Sequence, residues 1–274
     1  MKVERIDLYA YYGLPRPDGG QGYLNTYVID PIKEGRKRPG MLVIAGGGYS
    51  AVSQREKEPI IFRYTAQGFS CFSLDYSVKP VTFPAQLIEG AMAMAYIREH
   101  AEEYMLISDK IAAIGFSAGG HLTAMLATIY DAKEIKEALK EKAALVKPDA
   151  VILSYPVITW GECAHVGSFN NLCGTNNRLK KRLSLDTKVN KKSVPAFIWG
   201  TVNDGVVPSE NALSIALAYK RAGVPFEFHM FEEGSHGLSV ATAETWYVNE
   251  PVQAWIGLSV TWLTRRGFVI VDPN

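Results

Sequence analysis

The sequence predicts an α/β fold, with a mostly parallel central sheet and helices on both of its faces, from three observations. Short apolar, β-rich runs recur along the chain between longer helical patterns. Several of these runs, such as MLVIA and the AVIL that opens AVILSY, are apolar instead of alternating, as strands buried on both faces are. The segments between them are long enough to be crossover helices, so the alternation reads as successive βαβ units.

Residues 4–10 and 24–30 alternate polar with apolar and are expected as half-exposed antiparallel strands at one sheet edge. The stretch PRPDGGQG between them is rich in turn residues. Buried strands are then expected at 41–45, 70–76, 110–115, 150–155, 195–200 and 226–231. Helices are expected at 58–67, 84–99, 118–128, 133–145, 208–221 and 251–265. Pro84, Pro208 and Pro251 stand where a first-turn proline costs no hydrogen bond. Between 156 and 192 no clear period survives, and a stretch of that length inside a compact domain is expected to be a short cap or lid insertion. One domain spanning 1–274 is expected to carry all of this.

Composition narrows the partners. With 29 Lys plus Arg against 28 Asp plus Glu the formal charge is +1, which gives no electrostatic case for nucleic acid or an anionic membrane. No stretch approaches the roughly 20 apolar residues of a membrane span, and the amino terminus lacks the apolar core of a signal peptide. A soluble, cytoplasmic protein is therefore expected. Three cysteines, Cys71, Cys163 and Cys173, are an odd number without metal-binding spacing, which fits a reducing compartment. The frequency of two-fold assemblies is the sole ground for expecting a homodimer.

The stretch IAAIGFSAGGHLTAML places Ser117 between an apolar strand-like run and an apolar helix-like one, flanked by Gly115 and Gly119. This is the G-x-S-x-G context of a nucleophile on a sharp strand-to-helix turn. A serine hydroxyl is a weak nucleophile and needs a base, an acid that orients the base, and donors for a developing oxyanion. Asp204, in the polar turn after the run ending at Gly200, is the expected acid, preferred over Asp186, Glu232 and Glu233. His236, among small residues in GSHG, is the expected base. The order Ser, Asp, His is the one seen in α/β-hydrolases. The glycine run AGGGY after MLVI offers the backbone amides of Gly47 and Gly48 as oxyanion donors, with the amide of Ala118 as the other. It lacks the GK[ST] ending of a phosphate loop.

His121 is expected in a packing or hydrogen-bonding role, with His100 and His229 structural, and Asp75 as a structural or capping carboxylate. Tyr49, Trp160, His165 and Phe169 are the candidates to line a substrate pocket.

Carried on AGGGY, GFSAGGH, GTVNDGVVP and GSHG, in that order, the chain resembles the α/β-hydrolase superfamily, and within it the small bacterial esterase/lipase group that includes acetyl esterases and acetylxylan-esterase-like proteins. The HGGG of many such proteins stands here as AGGG, with Ala45 in place of histidine, which points away from the hormone-sensitive-lipase branch. The resemblance implies a serine carboxylic-ester hydrolase acting on short acyl, above all acetyl, esters on carbohydrates through an acyl-enzyme. It implies Ser117, Asp204 and His236 as the triad and Gly47, Gly48 and Ala118 as the oxyanion hole, with no metal or organic cofactor. Amide hydrolysis on the same triad and non-catalytic ligand binding remain the alternatives.

Overall fold

The computed structural model describes residues 1–273. Eight strands form one sheet: β1 (Arg5–Asp7), β2 (Tyr23–Tyr27), β3 (Arg38–Ile44), β4 (Ser70–Asp75), β5 (Leu106–Phe116), β6 (Ala150–Ser154), β7 (Ala196–Thr201) and β8 (Phe226–Phe231). Their spatial order is β1-β2-β4-β3-β5-β6-β7-β8. β1 and β2 run antiparallel at one edge, and every pairing from β4 to β8 is parallel. The helices are α1 (Leu8–Tyr12), α2 (Glu58–Ala66), α3 (Ala85–Glu99), α4 (Ala118–Thr128), α5 (Lys133–Leu139), α6 (Val166–Cys173), α7 (Asn177–Arg182), α8 (Glu210–Ala222) and α9 (Glu250–Thr264).

The period-2 geometry of a strand explains why the central segments read as continuous apolar runs. Met41, Val43, Ala112, Ile114, Ile152, Phe197 and Trp199 project to one face and pack on Ile60 and Ile61 of α2 and on Trp255 and Trp262 of α9. Leu42, Ile44, Ala113, Val151, Leu153 and Ile198 project to the other, where α3, α4 and α8 cover them. Both faces are dry, so alternation in polarity has no place in these strands.

Several boundaries differ from the sequence expectation, some of them for clear local reasons. The strand expected over 4–10 stops at Asp7, whose carboxylate accepts the N–H of Ala10 and starts α1; Gly13, at φ 63°, ends that helix one turn later. The helix expected over 133–145 breaks at Lys140, which sits at φ 52°, and continues only as a 3₁₀ turn. Pro208 lies outside α8, whose cap is Ser209, and Pro84 is itself the cap residue of α3. β3 starts earlier than expected and contains Pro39, tolerated in a central strand because the register shifts between Arg38 and Gly40 and no ladder N–H is required of it.

The segment 156–192 carries regular structure of its own. It folds as α6, α7 and a 3₁₀ turn at Leu185–Thr187. His165 and Asn176 cap the two helices through side-chain acceptors. Asn211 of α8 ties the start of the segment down by accepting the N–H groups of Ile158 and Thr159. No helix of the described residues is long and apolar enough to cross a membrane.

Candidate active site

Parallel strands end their carboxyl termini at one rim of the sheet, and in open α/β sheets that rim is where ligands bind. The strap Gly46–Gly48 follows β3, Ser117 follows β5, Asp204 follows β7, and His236 follows β8. Four loops thus deliver to one place residues that the sequence spreads over 190 positions.

Ser117 sits at φ 52°, ψ −118°, a conformation that a residue with a Cβ rarely adopts and that occurs where the surroundings over-determine it. The surroundings are tight. A Cβ on Gly119 would lie 2.2 Å from the Ile44 carbonyl oxygen and 2.4 Å from that of Ala45, and one on Gly115 would lie 2.2 Å from the Gly119 carbonyl oxygen. Glycine at both positions lets α4 press onto β3 and β5, and this pressure holds the turn. The Ser117 N–H donates to the Ser154 carbonyl at 3.0 Å, and its own carbonyl accepts from His121 and Val157.

The three polar side chains meet in sequence. Ser117 Oγ is 2.8 Å from His236 Nε2, and His236 Nδ1 is 2.6 Å from Asp204 Oδ2. Asp204 is almost wholly buried, its side chain 2% exposed, while its Oδ1 accepts the N–H groups of Val206 and Val207, each at 2.9 Å. Because an ionised carboxylate only accepts, Nδ1 is the protonated nitrogen, and Nε2 is left to accept from the serine hydroxyl. The loop carrying His236 is pinned from β7: Asn203 accepts the Gly234 N–H at 2.7 Å, and the Thr201 hydroxyl donates to the Gly234 carbonyl at 2.7 Å. Sequence reasoning missed both pins, although each sits within three residues of Asp204.

In the glycine strap, Gly47 has φ 126°, and a Cβ there would fall 2.2 Å from the Ala51 carbonyl oxygen. The Gly46 N–H donates to Glu56 Oε2 at 2.7 Å and is therefore taken up. Among the described residues the N–H groups of Gly47, Gly48 and Ala118 donate to no protein acceptor. Asn171 of α6 donates to the Gly48 carbonyl at 2.8 Å, which ties the segment 156–192 to the strap.

The remaining candidates divide. Tyr49 and Phe169 are each only 1% exposed. The Tyr49 hydroxyl is 2.9 Å from His121 Nδ1, and the Phe169 ring packs edge-on against His121 at 5.3 Å. That placement moves both from pocket wall to core. Trp160 and His165 keep partial exposure. His165 has its pKa lowered, first by burial and then by its proximity to His236.

His121 Nε2 donates to the Leu183 carbonyl at 2.9 Å, so its Nδ1 accepts from Tyr49; burial drives its pKa down to about 4. It is a structural histidine, as are His100, stacked on Tyr96, and His229, beside Glu227. Asp75 pairs with Lys57 at 2.6 Å and caps nothing. Asp186 accepts from Ser184.

The sequence model of the family BD-FAE matches residues 27–219, the stretch that holds the strap, the serine turn and Asp204. The chain belongs to this family. Its α/β-hydrolase fold and its place in an esterase/lipase group are shared with proteins similar to it. It is 37% identical over 76% of its length to Endo-1,4-beta-xylanase B of Butyrivibrio fibrisolvens, but spans only 34% of that protein. With Acetylxylan esterase of Xylanibacter ruminicola the identity is 26% over 73% of this chain and 41% of the other. The solved structure of an acetyl ester-xyloside bifunctional hydrolase from Caldicellulosiruptor lactoaceticus superposes with a TM-score of 0.83 at 34% identity, covering 97% of both chains. That of carboxylesterase Cest-2923 from Lactobacillus plantarum gives 0.82 at 25% identity, covering 99% of this BD-FAE chain and all of the other.

Proposed function

We propose that the protein is a serine carboxylic-ester hydrolase that removes short acyl groups, acetyl above all, from carbohydrate esters. The observation that carries this reading is the unbroken line from Ser117 Oγ through His236 to a buried Asp204, at 2.8 and 2.6 Å. The acetyl and carbohydrate parts rest on the names of two similar proteins, an acetylxylan esterase and an acetyl ester-xyloside bifunctional hydrolase.

In this mechanism His236 Nε2 takes the Ser117 proton as Oγ attacks the ester carbonyl carbon. The carbonyl oxygen gains negative charge beside the amides of Gly47, Gly48 and Ala118, whose N–H groups donate to no protein acceptor and are left to stabilise it. Asp204 holds the imidazolium in place without taking its proton. The carbonyl re-forms as the alkoxide departs, protonated from His236, and leaves an acyl group on Ser117. Water, deprotonated by the same nitrogen, attacks the acyl carbon; the second tetrahedral adduct expels Ser117 Oγ, and the carboxylic acid is released.

The test is a set of initial rates on p-nitrophenyl acetate, butyrate and octanoate and on acetylated xylo-oligosaccharides, for the natural chain and Ser117→Ala. The expected result is a preference for acetate and release of acetate from the oligosaccharide, both falling at least about a thousandfold in the variant. Turnover that survives the substitution would remove Ser117 from the chemistry. Amides cleaved faster than any ester would turn the reading to an amidase on the same triad.

A further inference from the structure

Glu56 is a buried carboxylate that the triad does not use. It lies in the turn Gln54–Glu56 between the glycine strap and α2 and is 2% exposed. Its two oxygens have two neutral donors. Oε2 accepts the Gly46 N–H at 2.7 Å, and Oε1 accepts the Tyr155 hydroxyl at 2.7 Å. The Tyr155 oxygen in turn accepts the N–H of Ser239, three residues beyond His236, at 3.0 Å. The Tyr155 ring stands edge-on to the His236 imidazole, centroids 5.0 Å apart. The neighbouring cation, Arg55, turns instead towards Gly237 and the ring of Trp246.

Burying a carboxylate among neutral donors is costly, and an apolar side chain of the same size would fill the space with less penalty. What the carboxylate supplies is reach in two directions. One oxygen fixes the first peptide of the strap, which runs so close to the nucleophile that a Cβ on Gly46 would lie 2.8 Å from Glu56 and 2.9 Å from the Ser117 Cβ. The other fixes the tyrosine on which the histidine loop rests.

We propose that Glu56 is a positioning residue, which through Tyr155 holds the oxyanion strap and the His236 loop in one register around Ser117. The proposal rests on the serine-hydrolase reading above. Misplacement of about 1 Å between reacting groups is enough to slow a reaction about a hundredfold, so a link of this kind acts on turnover more than on binding.

The test uses Glu56→Gln, Tyr155→Phe and the double variant of the full chain, with p-nitrophenyl acetate as substrate and active sites counted with a fluorophosphonate. A glutamine offers one acceptor oxygen; its NH2 group, turned to Tyr155, would make that hydroxyl accept instead of donate, and the negative charge of the link is lost. Phenylalanine keeps the ring on His236 and removes the hydroxyl. Each single variant is expected to lower kcat per titrated site by about tenfold or more, with KM within about twofold. The double variant is expected to fall no further than the worse single one, because both cut the same link. Melting temperatures are followed in parallel. If kcat per titrated site holds in both single variants while only the melting temperature drops, Glu56 is a packing residue and the proposal is overturned. Independent, multiplying losses in the double variant overturn it as well. A natural chain that neither hydrolyses the ester nor takes the label would instead bring down the serine-hydrolase reading, and the role of Glu56 with it.

Discussion

At the scale of the residue, the site depends on small side chains as much as on reactive ones. Gly119 has to pass between two carbonyl oxygens of the strand below, and the contacts an added methyl group would make are with backbone, which cannot step aside. Gly119→Ala is therefore expected to cost about 3 kcal/mol or more, at the upper end of overpacking effects, and to lower activity per folded molecule by tilting Ser117. A urea titration and active-site labelling of the same sample measure the two effects; an unchanged midpoint would mean that α4 can lift away from β3. Ser117, Asp204 and His236 were legible in the sequence because each is a polar residue set among small or turn-forming ones just after a buried run. Glu56 was not legible. In SQREKEP it is one charge among several, and what makes it special, two donors from segments 10 residues and 99 residues away, has no local signature.

At the scale of the element, the strands announced themselves and the cap helices did not. Strands sandwiched between helical layers must be apolar on both sides, and that is visible in any window of five residues. VGSFNNLC and NRLKKR are one to two turns long, too short for a stripe to repeat, and their starts are fixed by the side chains of His165 and Asn176. The cap is joined to α4 by His121, which links Tyr49 to the Leu183 carbonyl. Both of its nitrogens are committed while the ring is neutral, and protonation would strip the Tyr49 hydroxyl of its acceptor. With a folded pKa of about 4 against an ordinary 6.5, the unfolded chain binds the extra proton between these values, so stability is intact above pH 6.5 and falls as pH drops towards 4. The difference amounts to about 3 kcal/mol at its fullest. His121→Gln, which keeps a donor for Leu183, is expected to show a shallower loss between pH 7 and pH 4.5 when urea midpoints are compared; parallel slopes for the two proteins would contradict this.

At the scale of the whole molecule, the candidate triad occupies one rim of the sheet, and the first residues and the tail at Val271 lie at the opposite one. Lys2 bridges to Val28 and Lys37 to Val271. Both partners of the second bridge lie just before β3 and well after α9, so the tail returns to the side from which β3 starts. Met1, Arg38, Gly68 and Ile270 line one shallow hollow there. β3 has seven residues, which puts this hollow roughly 20 Å from the glycine strap.

The protein can consequently be held by either end like a tool by its handle. A carrier domain, a solid support or a polysaccharide-anchoring module joined to either end would hang from the underside and leave the working rim facing outward. Butyrivibrio fibrisolvens Endo-1,4-beta-xylanase B, of which this chain covers 34%, is a longer polypeptide. Immobilising the chain through a tag added after the tail, or fusing a folded carrier ahead of Met1, is expected to leave kcat and KM for p-nitrophenyl acetate within about twofold of the free protein. A raised KM in either format would mean that the handle and the working rim are not independent.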